Sequence, residues 1–313
     1  MNGTERKIEI FKPFGEGFEL MKRILFRPFD LKKWLVIGFA AWVANLGCGV
    51  GGFNYSNSQW RDTHKVHETI SQIPQPILIA GIGILVCLLL LLVVLVVWLR
   101  ARGRFIFVDC IARNRAAIVQ PWKEFRAEGN SFFLFLLVVV FLLIGLAVVG
   151  TLALALPLIF RGSTTWPCPA LLTGCCVFLI LLIALAVTLA VISQLMVPIM
   201  YRKRCRAWPA FLQVLDLVTS HPGPIFLYLL FLLLLGVAVV AISCAVTCAT
   251  CCLAAIPYVG TVIILPIPVT LAAFSLLFLR QFGPDYDVWA EFKPPEFLPL
   301  LMPPPSPSVA QGG

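Results

Sequence analysis

The chain has 313 residues, of which 60% are hydrophobic and only 12% are charged, and its formal net charge is +9. Soluble globular domains carry about a quarter of their residues as charged side chains, so this composition excludes the ordinary soluble classes. The basic excess does not indicate nucleic-acid binding, because most Lys and Arg residues lie between long apolar runs, where contact with a membrane surface explains them.

The N-terminal segment, residues 1–33, is mixed and basic. Four apolar residues recur in it at helical spacing: Phe14, Phe18, Met21 and Leu25. This pattern predicts a short amphipathic helix on the membrane surface. Pro28 is expected to end that helix, and Asp30 is expected to cap a new helix that enters the membrane near Trp34.

Six apolar runs follow, and each is long enough for a membrane-spanning helix, which needs about twenty residues to cross a hydrocarbon core of roughly 30 Å. The runs cover residues 34–53, 76–99, 132–160, 171–200, 225–256 and 262–279. Pro266 and Pro268 interrupt the last of them. The sequence therefore predicts an all-α polytopic membrane helix bundle of about six transmembrane helices.

The distribution of Lys and Arg predicts the orientation. Eight lie in the N-terminal segment, seven between residues 100 and 130, and four between 201 and 223, whereas the three opposite loops hold only Arg61, Lys65 and Arg161. Because basic loops stay on the cytoplasmic side, both termini are expected to be cytoplasmic, in a cell membrane of the bacterial inner-membrane type.

The same basic segments suggest an internal repeat. Trp122 and Phe125 precede the third span with a Trp-x-x-Phe spacing, and Trp208 and Phe211 precede the fifth span with the same spacing. One interpretation is three units, each a cytoplasmic surface helix followed by a two-helix hairpin. The alternative is that interfacial segments collect Trp and Phe independently as membrane anchors.

Three regions are expected along the chain. Residues 1–33 form the cytoplasmic N-terminal segment, residues 34–280 form the membrane domain, and residues 281–313 form a cytoplasmic tail. The tail contains a proline-rich stretch at 303–308, a composition typical of a disordered segment.

Three short motifs carry a resemblance to a known family: Leu25-Phe-Arg-Pro-Phe-Asp-Leu-Lys-Lys-Trp34, Val197-Pro-Ile-Met-Tyr201 and Phe282-Gly-Pro-Asp-Tyr286. Across residues 8–290 the chain resembles a family of uncharacterised prokaryotic six-span membrane proteins. Its organisation is also similar to the membrane domain attached to some glycerophosphoryl diester phosphodiesterases. The resemblance implies a membrane fold and brings no reaction, cofactor or catalytic residue.

Candidate catalytic groups are sparse. No ionisable residue lies well inside a predicted span, which argues against ion-coupled carriers and intramembrane proteases. Asp109, Glu124 and Asp216 in the cytoplasmic segments are few and scattered. His64 and His67 in the outer loop lack a third strong ligand, so solvated histidines are favoured over a metal site. No cofactor and no metal are expected, and the protein is predicted not to be an enzyme.

Cysteine is unusually frequent, with 11 residues, most of them near the outer ends of predicted spans. They are interpreted as small packing residues in lipid, as disulfide partners in an oxidising outer compartment, or as metal ligands, in decreasing order of preference. The pairing to test first joins Cys168 with Cys248, Cys251 or Cys252.

Two further groups are candidate functional residues. Asn45 and Gln194 are amides inside predicted spans, and they serve either as interhelical hydrogen-bonding groups, the favoured interpretation, or as the lining of a polar cavity. Basic and tryptophan residues at span ends are candidates for contact with anionic lipid head groups, although they also set orientation. These are Arg23, Arg27, Lys32, Lys33, Trp34, Arg100, Arg102, Arg104, Trp122, Arg202, Lys203, Arg204 and Trp208.

These observations lead to two functional hypotheses. The first is a non-enzymatic scaffold or lipid-organising component, whose partners are the bilayer, its anionic head groups and a second membrane protein. The alternative is a passive transporter or lipid-handling protein with a cavity between its helices. A tightly packed bundle without a cavity open to lipid or water would count against the alternative.

Overall fold

The computed structural model describes residues 8–46, 75–161, 169–250, 256 and 258–290, with the backbone alone at 75, 154–161 and 169–172. Several features predicted above lie outside these residues: the glycine-rich end of the first predicted span, His64, His67, Cys168, Cys251, Cys252 and the proline-rich tail. Throughout the described residues the regular structure is helical, which confirms the all-α class.

The described residues form ten α-helices, numbered in chain order. They are α1 (Phe11–Phe26), α2 (Leu31–Ala44), α3 (Gln75–Ala112), α4 (Val119–Glu124), α5 (Arg126–Arg161), α6 (Pro169–Lys203), α7 (Ala207–Ser220), α8 (Pro222–Ala249), α9 (Val259–Ile263) and α10 (Pro266–Arg280). A 3-10 turn follows at Pro284–Tyr286. The short helices α1, α4 and α7 precede α2, α5 and α8, where surface helices are predicted.

Local signals set the boundary between α1 and α2. Helix α1 ends just before Pro28, and the Asp30 side chain caps α2 by accepting a hydrogen bond from the Lys32 backbone N–H at 2.9 Å. Both predictions are confirmed. Helix α1 buries one face against α10, because Gly17 lies against the Phe274 backbone and a Cβ there would come within 3.1 Å of its nitrogen.

Within the described residues, four helices are long and apolar enough to cross a membrane: α3, α5, α6 and α8. Each contains a stretch without a charged residue and without a buried one, and these stretches are called the four arms: 76–99, 133–153, 173–192 and 229–249. The arms match the second to fifth predicted spans. Their outward apolar side chains need a lipid environment, since none of the arm residues with described side chains is buried within the protein.

The first and last predicted spans are not confirmed as spans. Helix α2 has 14 residues and α10 has 15, lengths of about 21 and 22 Å, which are short of a hydrocarbon core of about 30 Å. Both helices bury apolar residues within the protein, among them Ala41 of α2 and Ala273 of α10, which are completely buried.

The depth of α2 is fixed by two contacts with α3. At one end, Lys33 Nζ donates a 2.7 Å hydrogen bond to Asn114 Oδ1, beyond the end of α3. At the other end, Gly103 lies so close to Val43 that a Cβ there would come within 2.6 Å of it. Helix α2 therefore runs antiparallel to the charged end of α3 and does not lie beside the arm at 76–99.

The buried core lies at one end of the molecule, called here the base. It comprises α1, α2, α4, α7, α10, residues 100–112 of α3, and the ends of α5, α6 and α8 nearest to them. Large buried side chains fill it: Phe105, Phe132, Met196, Tyr228, Phe274, Phe278 and Trp289. The arms extend from this base.

Candidate functional site

A cavity of about 170 Å³ lies where the base meets the arms, and it is called here the boundary cavity. Five helices contribute to its lining: α2, α3, α6, α8 and α10. Its polar lining consists of Asn45, Arg104, Gln194 and Ser275, and its apolar lining includes Phe107, Val197, Leu232, Leu271 and Leu276. Because Gln194 lies two residues beyond the end of the arm at 173–192, the cavity lies at the depth where the charge-free surface ends.

Arg104 reaches the cavity from α3. Its Nη1 donates a 3.2 Å hydrogen bond to Ser193 Oγ on α6, and its guanidinium lies 5.7 Å from the centre of the Phe132 ring. Ser193 in turn donates to the Ala190 carbonyl at 2.6 Å, so its oxygen is oriented to accept from Arg104. The guanidinium is held at the cavity between a hydroxyl and an aromatic face.

The two amides singled out in the sequence meet in this cavity. Asn45 caps the end of α2, and its Nδ2 donates to the Ala41 carbonyl of the same helix at 2.8 Å. Gln194 is exposed and hydrogen-bonds to none of the described residues. Neither amide hydrogen-bonds across two helices within the described residues, and both line the cavity, so their role stays a prediction.

Ser275 completes the polar lining from α10. Its hydroxyl donates to the Leu271 carbonyl at 3.0 Å and lies 2.9 Å from the Tyr228 hydroxyl of α8. The Tyr228 ring stacks on Phe278 with 4.3 Å between ring centres. This packing fixes the wall that α10 contributes to the cavity.

An ion-pair cluster lies deeper in the base, and the sequence reasoning missed it. Asp109 is completely buried, accepts a 2.8 Å hydrogen bond from the Tyr201 hydroxyl, and pairs with Arg115 at 2.9 Å and Arg113 at 3.2 Å. The (i, i+4) spacing of Asp109 and Arg113 was the available signal. Its burial depends on Tyr201, which is distant in sequence.

Glu124 joins the same cluster. It pairs with Arg113 at 2.9 Å and also with Arg204, whose guanidinium lies 4.0 Å from the Phe125 ring centre. Burial raises the pKa of the Glu124 carboxyl. Hydrogen bonds from Arg113 and Arg204 together with their charges lower that pKa by more, so it lies below its ordinary value. The expectation that Asp109 and Glu124 are scattered is therefore wrong. Each carboxylate is nevertheless matched by arginines, as in a structural ion-pair network.

The lipid and interface candidates differ in their surroundings. Those with exposed side chains are Arg27, Lys32, Lys203, Arg204 and Trp208. Those that are half-buried are Arg23, Lys33, Trp34, Arg100, Arg104, Trp122 and Arg202. Arg102 is buried, with its guanidinium 4.7 Å from the Trp98 ring, 4.9 Å from the Trp122 ring and 2.8 Å from Asn130 Oδ1. Arg102 therefore packs inside the protein, whereas the exposed members remain able to meet head groups.

The structure describes some of the cysteines for which predictions are made, and others lie outside the described residues. Cys248 carries a free, exposed thiol, and its predicted partners Cys168, Cys251 and Cys252 lie outside the described residues, so that pairing stays a prediction. Cys110 is buried in the base. No group of three or more metal-binding side chains occurs among the described residues.

Residues 9–288 match a family of unknown function, DUF7544. The chain belongs to DUF7544. This confirms the resemblance to an uncharacterised family, and no comparison links this DUF7544 member to the membrane domain of glycerophosphoryl diester phosphodiesterases. No curated protein matches the chain. No solved structure matches it.

Proposed function

We propose that the protein is a non-enzymatic, multi-pass component of the cell membrane that holds part of an amphiphilic lipid in the boundary cavity. Of the two functional hypotheses drawn from the sequence, lipid handling accounts better for this cavity than a purely scaffolding role does. A cavity between helices is the feature that the lipid-handling hypothesis requires.

The placement of the molecule in a bilayer supports this function. The four arms would span the hydrocarbon, and the base would lie at the cytoplasmic face, because the basic segments between spans all belong to the base. In this arrangement α2 and α10 are helices of the base. The exposed basic residues of the base, such as Arg27 and Lys32, would then lie next to anionic head groups.

The position of the cavity is the observation that carries the proposal. It opens where the charge-free arms end, and its lining combines polar groups such as Gln194 with apolar ones such as Leu232. A lipid has the same polarity change along its length, with an apolar chain that joins a polar head. A cavity at this depth therefore suits the junction of the two parts of a lipid.

Lipid retention tests this function. Ala272 lines the cavity, so Ala272→Leu fills it without a change in charge, whereas Ala80→Leu adds the same bulk to an exposed site on an arm. Native mass spectrometry of protein purified in mild detergent should show co-purified lipid on the wild type and on Ala80→Leu, and much less on Ala272→Leu. Equal lipid retention by all three proteins would contradict the proposal.

A second candidate function is the scaffold. The arms expose apolar side chains along their whole length, as with Leu91 and Val240, and such surfaces pack against lipid or against another membrane protein. Cross-linking in native membranes followed by identification of the linked proteins tests it. A single recurrent partner would support the scaffold, and cross-links to abundant proteins only would count against it.

A further inference from the structure

We propose that the boundary cavity selects an anionic glycerophospholipid and that Arg104 binds the phosphate of its head group. This inference rests on the proposed lipid-binding function of the cavity and adds the chemical class of the ligand. Asn45, Gln194 and Ser275 supply the polar surroundings of the phosphate, and the neighbouring arms supply an apolar surface for its chains.

The charge of the cavity is the first argument. Among the described residues that line it, Arg104 is the one charged residue and none is acidic. The nearest acidic group on α3, Asp109, is paired deeper in the base with Arg113 and Arg115. The described lining therefore presents a guanidinium and no carboxylate, which favours an anion over a cation.

The chemistry of the lining is the second argument. Arginine has a planar set of N–H donors that matches phosphate oxygens, and the amides of Asn45 and Gln194 each add N–H donors. Gln194 is exposed and hydrogen-bonds to none of the described residues, so its side chain is available to a ligand. Arg104 also lies at the end of the hydrocarbon region, where an ionic contact is screened less than in open water.

The size of the cavity is the third argument. The cavity measures about 170 Å³, whereas sites for drug-sized ligands measure roughly 300–1,000 Å³. That space accommodates a phosphate ester and its adjoining carbons, and it is too small for an entire lipid. The acyl chains would then extend along the arms from the edge of the cavity near Leu232.

A neighbouring arginine shows that this role is specific to Arg104. Arg102 lies two positions earlier on α3, where it is 7% exposed, packs between Trp98 and Trp122, and hydrogen-bonds to Asn130. Its guanidinium is used in packing α3 against α4 and α5 and does not line the cavity. Of the two arginines, Arg104 is therefore the one placed to meet a ligand.

The test compares charge variants of the full chain. Arg104→Gln removes the positive charge from the cavity, Arg104→Lys retains it, and Lys123→Gln removes an exposed charge of α4 that does not line the cavity. Each protein is equilibrated in mixed micelles with equal amounts of phosphatidylglycerol and phosphatidylcholine, and retained lipid is counted by native mass spectrometry.

The wild type and Lys123→Gln should retain phosphatidylglycerol over phosphatidylcholine by about tenfold or more. A preference of this size corresponds to one additional hydrogen bond between charged groups. Arg104→Gln should lose most of this preference, and Arg104→Lys should keep most of it. If Arg104→Gln does not fold, Gln194→Leu, which changes an exposed side chain, should reduce the preference several-fold.

An unchanged preference in Arg104→Gln or in Gln194→Leu would overturn the inference while leaving lipid binding intact. Wild-type protein that retains neither lipid would instead overturn the proposed function. Inorganic phosphate is added in a parallel experiment. If it displaces phosphatidylglycerol at millimolar concentration, the site binds a free anion and the lipid assignment is wrong. If phosphatidylglycerol remains bound, the lipid source is supported.

Discussion

The base and the four arms are built by opposite rules, and α3 passes through both. From residue 76 to 99 its side chains are apolar and outward-facing, with none buried, whereas residues 105–112 of the same helix are all buried. The base holds buried charges that are matched by partners on other helices, as with Asp109 and Tyr201. The arms hold no charge.

This difference shows what each region demands of its sequence. In the arms a side chain has only to be apolar, because its environment is lipid or detergent on most sides. In the base each side chain must fit particular neighbours in volume, charge and hydrogen bonding. Substitutions of one type should therefore have very different effects in the two regions of α3.

The largest expected effect is that of Asp109→Ala. It removes the buried carboxylate that pairs with Arg113 and Arg115 and accepts from Tyr201, and such a loss costs about 3–5 kcal/mol. The free energy of unfolding, measured by denaturant titration in mild detergent, should fall by this amount. A loss below about 1 kcal/mol would mean that the cluster contributes little to the base.

Glycine substitutions come next. A Cβ on Gly103 would come within 2.6 Å of Val43, so Gly103→Ala should reduce the free energy of unfolding by about 1–3 kcal/mol by forcing α2 away from α3. Gly83 lies in the arm of the same helix with nothing within 4 Å of its Cβ position. Gly83→Ala should be neutral or stabilising, and equal losses for the two variants would contradict the proposed division.

A smaller effect is expected for isoleucine-to-valine changes. Ile111 is 1% exposed in the base and Ile84 is 63% exposed in the arm. Loss of one methylene in the packed base should cost about 1 kcal/mol, and the same loss in the arm should cost less than about 0.5 kcal/mol. Thermal unfolding of the two variants side by side measures the difference, and a larger loss from Ile84→Val would reverse the comparison.

The smallest expected effect is the loss of unfolding free energy at acidic pH through Glu124. The pKa of Glu124 is lowered in the folded protein from its ordinary value of 4.5, so its ion pairs stabilise the base above that pH and are lost as the pH falls through the lowered value. The contribution should be below about 1 kcal/mol, since Glu124 is partly exposed.

The free energy of unfolding of wild type and of Glu124→Gln should be compared between neutral pH and pH 3. The difference between the two proteins should be largest near neutral pH and should shrink below about pH 4.5, where the carboxyl becomes protonated. A difference that stays constant over this range would show that the Glu124 ion pairs do not stabilise the fold.

Features decided by neighbouring residues were predictable from sequence. Pro28 ends α1 and Asp30 caps α2 because both act within one turn of chain. The sequence predicts a loop from Arg100 onward, whereas α3 continues beyond the predicted span. Arginine has a high helix propensity, and Arg102 finds partners inside the protein, so the helix continues to Ala112.

The span count and the site depended on tertiary contacts. An apolar run does not reveal whether lipid or protein covers it, and for Ala41 and Ala273 the cover is protein. Asn45 and Gln194 were recognisable individually as unusual amides. Their meeting with Arg104 in one cavity requires α2 to lie beside residues 103–114, and no local pattern specifies that placement.

One pair of hydrogen bonds constrains the path of the whole chain. The Glu9 backbone N–H donates to Gln281 Oε1, and Gln281 Nε2 donates to the Glu9 carbonyl, both at 2.8 Å. Trp289 Nε1 then donates to the Ala112 carbonyl at 3.1 Å, so residues 9, 281 and 289 all belong to the base. A path that leaves one side of a bilayer and returns to it crosses an even number of times. In the proposed membrane placement the number of crossings is therefore even, and reporters at Glu9 and Ala290 should detect the same compartment.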